Sequence, residues 1–219
     1  MSRMRCVAAL SVVLTCLVPA SAAQAEPSLQ RCPVALDFRA DGVLPSSQGL
    51  TYITGTGTSE PSVFSVDGGL LHMNTLGTGA TAGYQDGFDP AGDFLLAFRL
   101  KVFAGTGPFG VDFEVSAPTP DRDFEFGFVP SGVFLPPSPI RAFLPFDTAS
   151  SFHTYAVVVP GGSTSWRFFI DGRLRASGSV SGGDVASSPR LIFGDLTTGA
   201  DGRMDVDFLS FCQSQDDDD

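Results

Sequence analysis

The chain is poor in the residues that most often mark a binding or catalytic site. It has 1 Trp, 3 Tyr and 2 His in 219 residues, and Asn74 is its one asparagine. Two isolated histidines do not make a zinc site. No serine sits in a GxSxG context, and "GTGTSE" and "GTGPFG" lack the strand-to-helix setting of a phosphate loop. Basic residues are scarce as well: 13 Lys plus Arg against 24 Asp plus Glu. That acidic field disfavours nucleic acid and anionic membrane as partners, leaving neutral sugars, cations and other proteins open. Helical periodicity is missing too: no stretch of a dozen residues shows a 3.6-residue period uninterrupted by Gly or Pro.

Long hydrophobic runs are limited to the amino terminus. Arg3 and Arg5 precede an apolar run over residues 7–18, followed by the small residues Ala20, Ser21, Ala22, Ala23 and Ala25. This layout predicts a secretory signal peptide over 1–25, cut after Ala25, and the run is too short for the roughly 20 residues a membrane span needs. A lipid-modified Cys16 is the rival, but Leu14 and Thr15 stand where lipoprotein signals want small residues. The expected product is secreted, with periplasmic or cell-surface residence also open. Its 194 residues (219 − 25) suit one domain over 26–213 with an acidic tail over 214–219, and its net charge is −13 (11 − 24). "QSQDDDD" reads as a solvated tail.

Two cysteines survive that cut, Cys32 and Cys212. In an oxidising compartment they are expected to pair as a disulfide, tying "PVALDF" to "RMDVDFLSFC" as antiparallel neighbours.

What is abundant is alternation. "AFRLKVF", "GVDFEV" and "DFEFGF" set Phe98, Leu100, Val102, Val111, Phe113, Val115, Phe124, Phe126 and Phe128 on one beat and charged residues on the other. With 25 Gly and 16 Pro punctuating short strands, the pattern predicts an all-β antiparallel sandwich. Asp67-Gly68 and Asp171-Gly172 read as two-residue hairpin turns.

"FHTYAVVVPGG", "STSWRFFIDGRLRAS" and "LIFGDLTTGADGRMDVDFLSF" resemble the central hairpin and closing strands of laminin-G-like domains in the concanavalin A-like lectin and glucanase superfamily. The resemblance is good over 152–211 and looser upstream. It implies a jelly roll that hosts lectins, protein-binding modules and glycoside hydrolases, with His153 supporting the hairpin. The fold alone does not choose among those functions.

Three site readings follow. Setting Phe113 opposite Phe126 puts Glu114 opposite Glu125, with Asp112 and Asp123 on the same face. Facing carboxylates are what a glycosidase uses. The competing reading makes them a solvated ion-pair ladder, with Lys101 beside Asp112 and Arg99 beside Glu114 across a loop at 104–109. The laminarinase-type hydrolases of the resembled superfamily carry Glu-x-Asp-x-Glu along one strand; here the first glutamate is replaced by Gly110. Calcium is the second reading: Asp86, Asp89 and Asp93 in one loop, and Asp195, Asp201, Asp205 and Asp207 in the other, supply oxygens without EF-hand spacing, and laminin-G-like domains often hold calcium at a rim. Asp and Gly are also ordinary turn residues. Carbohydrate is the third, with Tyr84, Trp166 and Phe146 beside Asp147 as aromatic candidates, although Trp166 also reads as a packed residue. The expectation is a binding module for extracellular glycan, then a protein-interaction module, then a hydrolase.

Overall fold

The computed structural model describes residues 34–87, 93–118, 121–136, 142–180 and 188–213. The alternating segments form strands: β1 (Val34–Arg39), β2 (Thr51–Thr54), β3 (Phe64–Asp67), β4 (Leu70–Asn74), β5 (Ala82–Gly87), β6 (Phe94–Gly105), β7 (Asp112–Pro118) and β8 (Asp121–Val129). They continue as β9 (Gly132–Leu135), β10 (Ala142–Pro145), β11 (His153–Val159), β12 (Ser165–Ile170), β13 (Arg173–Ser179), β14 (Arg190–Asp195) and β15 (Gly202–Gln213). Helix among the described residues amounts to one turn of α1 (Glu60–Val63) and a 3-10 turn at Pro45–Gln48.

Two antiparallel sheets result. One runs β13-β12-β11-β6-β15-β4-β3, with β1 also on β15; the other runs β10-β9-β8-β7-β14-β5-β2. This is the concanavalin A-like jelly-roll sandwich. The long β15 divides one edge between two partners: β4 pairs with Arg203–Val206, and β1 pairs with the stretch from Phe208 to Cys212. First and last strands are therefore antiparallel neighbours, with Val34 opposite Cys212. Cys212 is buried; Cys32 lies outside the described residues.

The core is built by the alternating phenylalanines. Phe98 of one sheet stacks on Phe113 of the other at 3.9 Å between centroids and 5° between planes. Phe126 stacks on Phe168 at 5.1 Å, and Phe128 meets Tyr155 edge-on at 5.0 Å. Each such pair adds roughly 0.5–1.5 kcal/mol beyond its buried area.

The turn at Asp171-Gly172 joins β12 to β13 as expected, with φ of 49° and 72°. The other expected turn is displaced by one residue: Asp67 stays in β3 opposite Leu70, and Gly68 and Gly69 take the positive φ values of 58° and 77°. Two glycines tolerate that geometry better than Asp followed by Gly.

One expectation about connectivity fails. β6 does not form a hairpin with β7, because β6 pairs with β11 and β15 in one sheet while β7 pairs with β8 and β14 in the other. The segment 106–111 instead carries the chain from one sheet to the other.

Candidate functional site

The outer face of the seven-stranded sheet carries the strongest cluster of chemistry. Phe113 is opposite Phe126 and Val115 opposite Phe124, so both inward sets bury together and Glu114 faces Glu125, as the alternation predicts. Extending that rung, Ile192 of β14 lies opposite Glu114 and Gln85 of β5 lies opposite Ile192. The next rung is Asp123, Ser116 and Arg190. Facing side chains on such a pair have Cβ atoms about 4.5–5.5 Å apart.

These acids are not on a solvated face. Glu114 is 9 % exposed, Glu125 7 %, Asp123 3 % and Asp112 0 %. The chain leaving β6 covers the sheet here: a Cβ on Gly127 would lie 1.7 Å from the carbonyl oxygen of Pro108, so only glycine admits that approach. Phe109 accepts a hydrogen bond from the Leu196 N–H at 3.0 Å, linking this segment to the loop after β14. A cleft of ≈ 310 Å³ remains, lined by Phe109, Glu114, Asp123, Glu125, Arg190, Leu196 and Thr197.

The expected partners Arg99 and Lys101 are absent from it. Because β6 belongs to the other sheet, Arg99 bonds Asp207, and Lys101 stands opposite Asp205 with its ammonium 5.1 Å from the Phe103 ring. Among the described residues a cation at Glu114 is Arg190, whose Nε and Nη2 donate to Oε1 at 3.3 and 3.1 Å. Arg190 is 76 residues away in sequence and was not anticipated. The one available signal was that Arg190 and Ile192 share the parity opposite to Leu191 and Phe193.

Gly110 lies two residues before β7, in the segment that crosses between the sheets. A Cβ there would lie 2.4 Å from the Asp201 carbonyl oxygen, so no side chain fits where the hydrolase pattern has its first glutamate.

The expected aromatic platforms are corrected. Tyr84 is fully buried, lies tilted against Phe193 with ring centroids 5.4 Å apart, and donates its hydroxyl to Glu60 Oε1 at 2.9 Å. Burial and the neighbouring Glu60 carboxylate both push its phenol pKa up. Trp166 is 4 % exposed and packs edge-on against Phe126 at 5.7 Å. Phe146 is half-buried and meets His153 edge-on at 4.7 Å, while Arg175 lies over its ring at 5.7 Å. Asp147 is exposed and accepts the Ala149 and Ser150 N–H groups, both at 3.0 Å; these bonds and the charge of His153 hold its carboxyl below the usual range. The aromatic pair that is presented was overlooked: Phe134 and Phe143, opposite each other on β9 and β10 with centroids 5.0 Å apart, Phe143 being 43 % exposed.

The candidate calcium ligands do not converge. Asp86 is opposite Leu191 and Asp195 opposite Ala82, so the two lie about 13 Å apart along the ladder at 3.3 Å per residue. Asp86 bonds the N–H of Gly87 at 2.8 Å, and Asp89 lies outside the described residues. Asp201 accepts the Gly77 N–H at 2.8 Å. Asp195 is fully buried and accepts from Thr75 Oγ1 at 2.5 Å. Burial pushes its carboxyl up to about 7, against the Thr75 and Thr197 bonds and aided by the charge of Asp201. Among the described residues no group of three His, Cys, Asp or Glu side chains could hold a metal ion.

Comparison with solved structures agrees with the fold. The chain is similar to an endo-1,3-β-glucanase from Streptomyces sioyaensis, with TM-score 0.59 and 15% identity over 87% of this chain and 99% of that one. It is also similar to a conserved carbohydrate esterase from the Shiga toxin-encoding bacteriophage phi24B, with TM-score 0.61 and 15% identity over 84% and 100% of the two chains. A third is SCLam, a non-specific endo-β-1,3(4)-glucanase from family GH16, with TM-score 0.57 and 14% identity over 89% and 95%. At these identities the likeness establishes the concanavalin A-like architecture. No protein-family model and no curated protein sequence matches the chain.

Proposed function

We propose that the protein is an exported carbohydrate-binding module that holds a glycan in the cleft over β7, β8 and β14. The observation that carries this reading is the cleft itself: carboxylates of Glu114 and Glu125 and the Arg190 guanidinium stand beside the apolar walls of Phe109 and Leu196. Sugars are bound by such a combination, with charged groups bonding hydroxyls and apolar surface taking the ring faces. Fold relatives that act on glucans support the substrate class. The laminin-G-like resemblance of the hairpin and closing strands is retained as the description of that part of the chain. Export through the 1–25 signal peptide, a Cys32–Cys212 disulfide closing β1 on β15, and a role for calcium are parts of the same proposal.

Binding is preferred to hydrolysis because Gly110 stands where the hydrolase pattern has its first glutamate and Arg190 engages Glu114. A hydrolase reading has one specific observation in its favour, the facing of Glu114 and Glu125 across β7 and β8, which sets two carboxylates side by side as a glycosidase needs. A glycan array probed with the mature protein, with and without calcium, separates these readings when joined to a reducing-sugar assay on β-glucans. Glycan binding lost in Glu114→Gln without turnover in the wild type supports the module. Turnover abolished by Glu114→Gln replaces it with the hydrolase. Silence on every glycan leaves a protein-interaction module.

A further inference from the structure

The hairpin that identifies the fold also assembles a hydrogen-bond chain remote in role from the cleft. On the eight-stranded sheet, His153 begins β11 and Asp171 occupies the β12–β13 turn. His153 Nδ1 lies 2.7 Å from Asp171 Oδ2, and its Nε2 lies 3.1 Å from Ser151 Oγ. We propose that Ser151, His153 and Asp171 form an acyl-transfer site acting on esters of short carboxylic acids.

The directions of the hydrogen bonds follow from the acid. Asp171 Oδ1 already accepts the Thr154 N–H at 3.0 Å, and the Asp171 N–H donates to the Thr154 carbonyl at 2.8 Å, so turn and strand hold the carboxylate in place. Burial raises the Asp171 carboxyl, but the bonds from His153 and Thr154 and the charges of His153 and Arg175 outweigh it and keep it below its ordinary range. An ionised carboxylate only accepts, so Nδ1 of His153 is the donor to Asp171, and in the neutral ring that acts as base the Nε2 lone pair faces the Ser151 hydroxyl. Phe146, edge-on at 4.7 Å, fixes the ring from one side. A nucleophile, a base and an orienting acid in that order are the recognised geometry of serine acylation on unrelated folds.

In the proposed reaction Ser151 Oγ attacks the ester carbonyl carbon while its proton passes to His153 Nε2. The ester C–O bond breaks, and the departing alcohol takes that proton. Water then attacks the acyl-serine, yields a proton to His153, and the carboxylic acid leaves as the proton returns to Ser151 Oγ. Ser151 is exposed, so the acyl group is held by no deep wall and the class is short-chain, with acetyl the simplest member. General-base assistance of this kind contributes roughly 10²–10⁴-fold, which sets the size of effect to look for.

The test uses p-nitrophenyl acetate turnover and labelling by a fluorophosphonate, with the adduct mapped by mass spectrometry on the mature protein. A single adduct on Ser151 is expected. Ser151→Ala should abolish turnover while leaving the melting temperature unchanged, because the His153–Asp171 bond that ties the hairpin survives. His153→Gln should slow turnover by about 100-fold or more. Asp171 touches His153 and backbone only, so it is a positioning residue: Asp171→Asn should lower kcat with KM and melting temperature in place. Turnover that survives Ser151→Ala, labelling spread over several exposed hydroxyls, or no labelling at all overturns the proposal.

Discussion

Arg99 and Lys101 on β6 and Glu114 and Glu125 on β7 and β8 come from neighbouring stretches with the same alternation, yet they end on opposite outer faces of the sandwich. On the eight-stranded sheet, cations and acids meet as a ladder open to water: Arg99 bonds Asp207, Lys101 stands opposite Asp205, and Asp205 bonds His72 Nδ1 at 2.6 Å. On the seven-stranded sheet, the acids are drawn under the 106–111 segment and the loop after β14, with Arg190 as the bonded cation. The chemistry of the side chains is alike; the covering differs. A charged pair in water is worth little, whereas a withdrawn one shapes its site and must keep its partners.

That contrast can be broken or sharpened by substitution. The largest effect is expected at Asp195, the most withdrawn acid with a resolved shift. Its carboxyl sits at about 7 when folded against 3.8 ordinarily, so the folded state favours the proton. The stability this confers is complete below pH 3.8 and is lost as pH rises to about 7. Asp195→Asn should therefore be near wild type at pH 4 and more stable at pH 8, by up to about 4 kcal/mol, in urea melts at the two pH values. Next is Gly127→Ala. Its methyl would collide with the Pro108 carbonyl 1.7 Å away, and the cover over the cleft must shift, at about 3 kcal/mol in the same assay. Glu114→Ala should cost about 2 kcal/mol by leaving Arg190 without this bond, and should weaken any glycan binding at least tenfold by calorimetry. Smallest is Arg99→Ala on the open ladder: less than about 1 kcal/mol, shrinking further in salt. An Arg99→Ala loss equal to that of Glu114→Ala would remove the distinction between the faces.

Much of this is written in the alternation, and what is not has a physical reason. The facing of Glu114 and Glu125 was legible because Val111, Phe113 and Val115 and then Phe124, Phe126 and Phe128 all turn inward, and setting the two triplets fully opposite each other puts Glu114 against Glu125. A period of two fixes which face a residue takes and is silent on which strand lies alongside, so Arg99 and Lys101 were assigned to the wrong sheet. Burial of the acids was illegible because their cover, Pro108, Phe109 and Leu196, comes from irregular segments. Tyr84 looked like a loop aromatic beside its glycines, yet it shares parity with Ala82 on the core side of β5. Phe134 and Phe143 were hidden by the converse error, since phenylalanine reads as core by default.

The pairing of β1 with β15 sets Val34 beside Cys212, so the chain enters and leaves the body at one place on the eight-stranded sheet. A tether, a partner domain or a solid support attached through either flank would thus hold the molecule by its back, leaving the acidic pocket on the far layer turned toward whatever approaches.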